Sequence, residues 1–182
     1  MGEREKNESF HKLLNAADLI REELLSASPE AETLPKIFWD KIKEMHGQGV
    51  RLMLEKKLCA TDMNPRKGWL SIPKGKIHQK FLTEKEILDL DLKDMTVSLI
   101  ELGPGKVVRH KLKLRKDYKR KDYFSYVLTK GWNAITHSDA GNGLEVGCLI
   151  QLWAFRVNGD LYFCLVNCGL PPATVENMAT RE

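Results

Sequence analysis

Residues 106–129 limit the fold of this chain more than any other stretch. The segment reads KVVRHKLKLRKDYKRKDYFSYVLT. Arg109, Lys111, Lys113 and Arg115 share one parity, while His110, Leu112 and Leu114 share the other. Side chains on a strand point alternately to its two faces, so this pattern predicts a strand over 106–115 with one cationic and one inward face. A helix would scatter the same cations around its circumference. Arg115 to Lys121 then hold five cations against the single Asp117. A second alternating run, Ser125 to Thr129, leads into Gly131-Trp132. The expectation is a basic loop over 116–125 between two strands, with Tyr118 and Tyr123 inside it. Such a loop suits a polyanion, although a solvated hairpin tip is the plainer reading of a charge run.

Charge elsewhere sharpens this expectation. The chain has 182 residues, 42% hydrophobic and 30% charged, with a net charge of +4. That length accommodates one globular domain with an extension. Residues 1–35 hold eight acids and four bases, so the remaining 147 residues carry a net +8. An acidic leader on a basic body points to an anionic partner for the body. No apolar run approaches the ~20 residues of a membrane helix, and the polar N-terminus lacks a signal-peptide core. Cys59, Cys148, Cys164 and Cys168 form no Cys-x-x-Cys pair. They are expected as free thiols, mostly buried, in a reducing compartment.

Periodicity divides the chain. Phe10, Leu13, Leu14, Ala17, Ile20 and Leu24 recur at helical spacing, predicting a helix over 8–27. The stretch around Pro29 is a polar break. A second helix is predicted from Pro35, with Ile37, Phe38, Ile42 and Met45 on one stripe, ending near Gly47. Strand texture follows from residue 49. Asp62 to Gly68 is turn-rich, and Trp69 to Ile72 reads as a short strand closed by Pro73. Thr83-x-x-Glu86 is a capping box opening a short helix. Met95 to Leu102 and Leu149 to Val157 read as strands, the latter apolar on both faces, and Asn158-Gly159 is a hairpin turn returning through Leu161 to Val166. The expected organisation is an acidic helical leader and linker at 1–34, a helix packing on the barrel at 35–48, a mainly β body at 49–170 and a loose tail at 171–182. Curling the sheet hides its edges, which favours a small barrel.

No reaction emerges from the residues. His137-Ser138-Asp139 has triad residue types, but adjacent residues cannot converge as a triad does, and no Gly-x-Ser-x-Gly elbow exists. Gly103-x-Gly105 precedes a strand where a phosphate loop requires a helix. Cys164 and Cys168 lie about 13 Å apart along one predicted strand, too far to share a zinc ion. No enzyme activity, cofactor or metal is expected.

Several short motifs in fixed order carry a resemblance. They are Lys56 six residues before Asp62 in Thr61-Asp62; Leu70-Ser71-Ile72-Pro73-Lys74; Phe81-Leu82; Tyr126-Val127-Leu128-Thr129-Lys130-Gly131-Trp132; Leu144-x-x-Gly147; and Gln151-x-Trp153-x-Phe155-Arg156. Over roughly 50–168 the chain resembles the plant B3 DNA-binding domain. With Leu34-Pro35 and the helix after it, it looks like the subgroup carrying a single such domain. The resemblance implies a seven-stranded open pseudobarrel with two short helices, here preceded by an α-helical N-terminal extension. It also implies a nuclear transcriptional regulator that enters the DNA major groove with two arms, Asp62 to Trp69 and Lys116 to Ser125. Carried onto this chain, Asn64, Arg66, Lys67, Arg120 and Lys121 are candidates for base-edge contacts. Lys56, Lys74 and Lys119 are candidates for phosphates, and Tyr123, Ser125 and Asn133 for backbone or base hydrogen bonds. The cations of 109–115 lie outside both arms. Cys148 stands where the family usually has an acid, and the second arm is unusually basic, so the target sequence is expected to differ from well-known branches. The alternative function is a protein-interaction module on the same barrel, with other proteins docking on the N-terminal helix.

Overall fold

The computed structural model describes residues 34–137 and 142–169. The helix expected at 8–27, its linker and the tail from 171 lie outside these residues. The described part opens with helix α1 (Lys36–Glu44) after Pro35. Seven strands follow: β1 (Gln48–Lys57), β2 (Leu70–Pro73), β3 (Met95–Gly103), β4 (Lys106–Arg120), β5 (Tyr123–Thr129), β6 (Leu149–Val157) and β7 (Asp160–Asn167). Two short helices are inserted, α2 (Glu84–Asp89) before β3 and α3 (Trp132–Thr136) after β5. No helix among the described residues is long and apolar enough to cross a membrane.

The strands form one curled sheet in the order β1-β6-β7-β3-β4-β5-β2. Neighbours are antiparallel except β3 and β7, which run parallel through Ser98↔Tyr162 to Ile100↔Cys164. The sheet is an open pseudobarrel, because its edges β1 and β2 share no ladder. The segment after β2 joins them instead: Leu54 bridges Ile77, and His78 N donates to Met53 O at 2.8 Å. Exposed edge groups are thereby satisfied without a closed barrel.

Two cores hold the fold. The barrel interior gathers Leu54, Leu70, Ile72, Leu112, Leu114, Leu128, Trp132, Leu152 and Phe163, among others. A second core lies on the outer side of β3, β6 and β7, where α1 lays Phe38 and Ile42 against Ile100, Trp153, Phe155 and Cys164. This explains why β6 reads as apolar on both faces: one face lines the barrel and the other is covered by α1. At α2 the capping box forms as expected, with Thr83 Oγ1 accepting from Glu86 N and Glu86 Oε2 accepting from Thr83 N. The same Glu86 receives a two-pronged guanidinium contact from Arg156 at 2.6 and 2.8 Å, which ties α2 to the end of β6.

Two expectations are corrected. The basic segment 116–125 is not a loop: β4 runs to Arg120, β5 begins at Tyr123, and only Lys121 and Asp122 turn the chain. Pairing continues through Asp117↔Ser125 and Tyr118↔Phe124, with an irregularity between Tyr118 and Arg120. Charge had suggested a loop, but the backbone ladder needs no apolar side chains, and the inward side chains at this end have partners. The thiols also differ from expectation. Cys164 is buried, but Cys148 is half-buried, and Cys59 and Cys168 are exposed. Cys168 lies just beyond the last residue of β7, and Cys59 opens the β1–β2 loop.

Candidate nucleic-acid interface

The first arm, between β1 and β2, is built around a buried ion pair. Lys56 shares the parity of Leu54 and Leu58, so β1 points it inward. Its ammonium sits 2.8 Å from the carboxylate of Asp62, with side chains 6% and 0% exposed, and it also donates to Ser71 O. Asp62 accepts from the backbone N–H groups of Cys59 and Ser71 as well. Burial acts to raise its pKa, but the Cys59 N–H and the hydrogen bond and charge of Lys56 outweigh it and hold the carboxyl below its ordinary value. One carboxylate therefore fixes both ends of the loop.

Helix α3 braces the same loop from the other side. Trp132 Nε1 donates to Asp62 O at 2.7 Å, and Asn133 Nδ2 donates to Pro65 O at 2.9 Å. Within the loop, Asn64 Oδ1 accepts from Arg66 N, which leaves its amide as a donor. Arg66 and Lys67 project from this framework and are exposed. Gly131 sets the position of α3. Its φ is +141°, and a Cβ there would lie 2.6 Å from Lys111 O. Gly131→Ala is expected to cost about 2–3 kcal/mol, read as a lower urea midpoint at unchanged slope.

The second arm is the β4–β5 hairpin, braced at its base and bare at its tip. Lys116 donates to Asp91 Oδ1 at 2.6 Å and to Ile87 O at 2.9 Å, and Tyr118 OH reaches the same carboxylate oxygen at 2.6 Å. The hydrogen bonds from Lys116 and Tyr118 lower the pKa of Asp91. Phe124 packs edge-on against Tyr126 and tilts toward Tyr118. Lys74 and Lys116 lie 4.9 and 5.0 Å from the Phe124 ring centre. Beyond this base Lys119, Arg120, Lys121 and Tyr123 are exposed, Lys119 pairing locally with Asp117.

The expected site residues thus divide. Asn64, Arg66 and Lys67 stand on the first arm; Lys119, Arg120, Lys121 and Tyr123 stand on the second. Lys74 lies at the end of β2 nearest the hairpin, since Pro73 pairs with Ser125. Ser125 is 7% exposed within β5, and Lys56 is 7% exposed beneath the first arm. Asn133 ties α3 to Pro65. Among the described residues, Arg66, Lys67, Lys74, Arg120 and Lys121 make no ion pair. The reading of the sequence did not single out Asp62 as the organiser of the first arm. An aspartate at the head of a turn-rich loop, with an inward lysine six residues earlier, was the available signal. Trp69 was also passed over; the cations of Lys67 and Arg115 lie 5.6 and 5.8 Å from its ring centre.

The fold and site define a seven-stranded open pseudobarrel carrying two braced, cation-bearing arms at opposite ends of β2. A family model described as B3 domain-containing protein At2g31720-like matches residues 30–168, and the chain belongs to this B3 domain family. Among its curated relatives, the Arabidopsis thaliana B3 domain-containing protein At3g25182 is 31% identical over 76% of this chain and 42% of its own length. At1g32030 from the same plant is 37% identical over 69% of this chain and 38% of its own length. The chain thus spans less than half of these two relatives, and 76% of the shorter At2g32645, to which it is 27% identical. Among solved structures, that of the Arabidopsis thaliana transcription factor LEC2 in complex with DNA aligns with a TM-score of 0.43 and 18% identity, covering 68% of this chain and 98% of that one.

Proposed function

We propose that this chain binds duplex DNA in the nucleus as a transcriptional regulator, with its two arms set into the major groove. The observation that carries this reading is the placement, on two braced arms, of exposed cations that have no carboxylate partner among the described residues. The two arms flank β2, one preceding Leu70 and one beside Pro73, an arrangement that suits entry into one groove of a duplex. The braces hold each arm before contact, so little ordering entropy is lost on binding.

The first arm is proposed to read acceptors. Arg66 and Lys67 are donors only, and the Asn64 oxygen already accepts one hydrogen bond in the turn while its amide N–H groups remain as donors, so the arm favours guanine O6 and N7. Lys74 and Lys119 are assigned to phosphates, with Arg120, Lys121 and Tyr123 at the second arm's tip. Lys56, Ser125 and Asn133 are assigned supporting roles, because their polar groups are enclosed or already bonded within the protein.

Duplex binding measured across salt concentrations tests this function. Contact with about six phosphates predicts a slope near −5 in log affinity against log salt. Selection from a random duplex library is expected to enrich a motif containing guanine. Absence of any duplex binding at low salt would overturn the proposal and favour an interaction module.

A further inference from the structure

The cations of β4 from Arg109 to Arg115 lie outside both arms. Leu112 and Leu114 face the barrel interior, so Lys111, Lys113 and Arg115 share the outer face of the sheet. That face continues onto β5 and β2, where Arg115 stands level with Val127, and Val127 with Ser71. Lys111 is exposed, and Lys113 and Arg115 are half-buried. Lys113 donates to the neutral Thr96 hydroxyl, and none of the three forms an ion pair among the described residues. On the inner face the same strand behaves differently: Lys116 is matched by Asp91, and His110 by Glu101 at 2.8 Å. Among the described residues no carboxylate pairs with Lys111, Lys113 or Arg115; the one carboxylate of that parity on β4, Asp117, is taken by Lys119.

The outer row also connects with the first arm. The Arg115 guanidinium and the Lys67 ammonium both lie against Trp69, the last residue before β2. At the far end of β4 the hairpin carries Arg120 and Lys121. Among the described residues, unpaired cations therefore lie on the first arm, along β4 as far as Arg115, and at the tip of the second arm, with the Asp117–Lys119 pair between them.

We infer that the outer face of β4 is a phosphate-binding track, in which Lys111, Lys113 and Arg115 hold the sugar-phosphate backbone of the nucleic acid whose groove the arms enter. This rests on the duplex-DNA reading above and adds a surface that neither arm contains. The track contacts phosphates and carries no base information, so it raises affinity equally for all sequences. Arg115 has a second part: by lying on Trp69 it joins the track to the base of the first arm.

The test compares the unsubstituted 182-residue chain with a Lys111→Ala/Lys113→Ala variant on one fixed duplex, at several salt concentrations. Each lost phosphate contact flattens the slope by about 0.9, so the double variant is expected to flatten it by about two. The enriched motif is expected to stay the same. A Lys36→Ala/Lys85→Ala variant removes two exposed cations outside the strip and is expected to leave the slope unchanged. Matching thermal unfolding of all three proteins checks that the fold is retained. Wild-type binding with an unaltered slope in Lys111→Ala/Lys113→Ala overturns the track and leaves the arms standing. An equal flattening in Lys36→Ala/Lys85→Ala also overturns it, because net charge alone would then account for the effect. No wild-type binding removes both readings together.

Discussion

Asp62→Ala is expected to destabilise the domain by about 3–5 kcal/mol, a fall of roughly 10–15 °C in Tm. The substitution leaves the Lys56 ammonium buried without its counter-charge and deprives the Cys59 and Ser71 N–H groups of their acceptor. Adding Lys56→Met removes the stranded charge and is expected to recover part of the loss. The same carboxylate makes stability depend on pH. Its pKa is depressed in the folded state, so the unfolded chain takes up its proton first as pH falls. The stabilisation is present in full above the ordinary value of 3.8 and is lost as pH drops through the lower folded value. Asp62→Asn is expected to be less stable at neutral pH and to show a shallower acid limb below pH 4 in denaturant titrations. An acid limb unchanged from wild type would place the dependence elsewhere, for instance at Glu86, whose carboxyl is also held low by Arg156.

Lys119→Ala/Arg120→Ala/Lys121→Ala is expected to weaken duplex binding by about two orders of magnitude near physiological salt and to flatten the salt slope by two to three. All three side chains are exposed, and the bracing of the hairpin by Asp91, Lys116 and Phe124 lies outside the substitution. Stability is therefore expected to stay within about 0.5 kcal/mol of wild type. A slope unaltered by the triple change would remove the second arm from the interface. A loss of motif enrichment at retained affinity would instead place Arg120 or Lys121 at base edges.

Much of the fold was legible because local rules and tertiary structure agree. Alternation located β4 and β5, apolar character on both faces marked β6, Thr83 and Glu86 marked the start of α2, and Asn158-Gly159 turned β6 into β7 through left-handed backbone at both positions. The motifs around Asp62 and Gly131-Trp132 proved to be structural supports for the first arm. Where reading failed, charge was the misleading signal. The run around Lys116 to Lys121 looked like a loop, yet Lys116 and Tyr118 are strand residues whose polar ends meet a carboxylate 25 and 27 positions away. Lys56 looked like a surface cation, although its parity placed it beside Leu54 and Leu58.

By itself the sequence determined most of the strands, their inward faces and the sharp turn at Asn158-Gly159. These follow from a side-chain period of two and from backbone preferences of single residues, which act locally. Only the tertiary structure decided which cations are free. A lysine's charge is fixed by its chemistry, but its availability depends on whether folding brings a carboxylate within hydrogen-bonding reach. Folding supplied one to Lys56 and Lys116, while among the described residues Arg66, Arg115, Arg120 and Lys121 have none. The difference lies in pairing across strands and loops, and no window along the chain contains it.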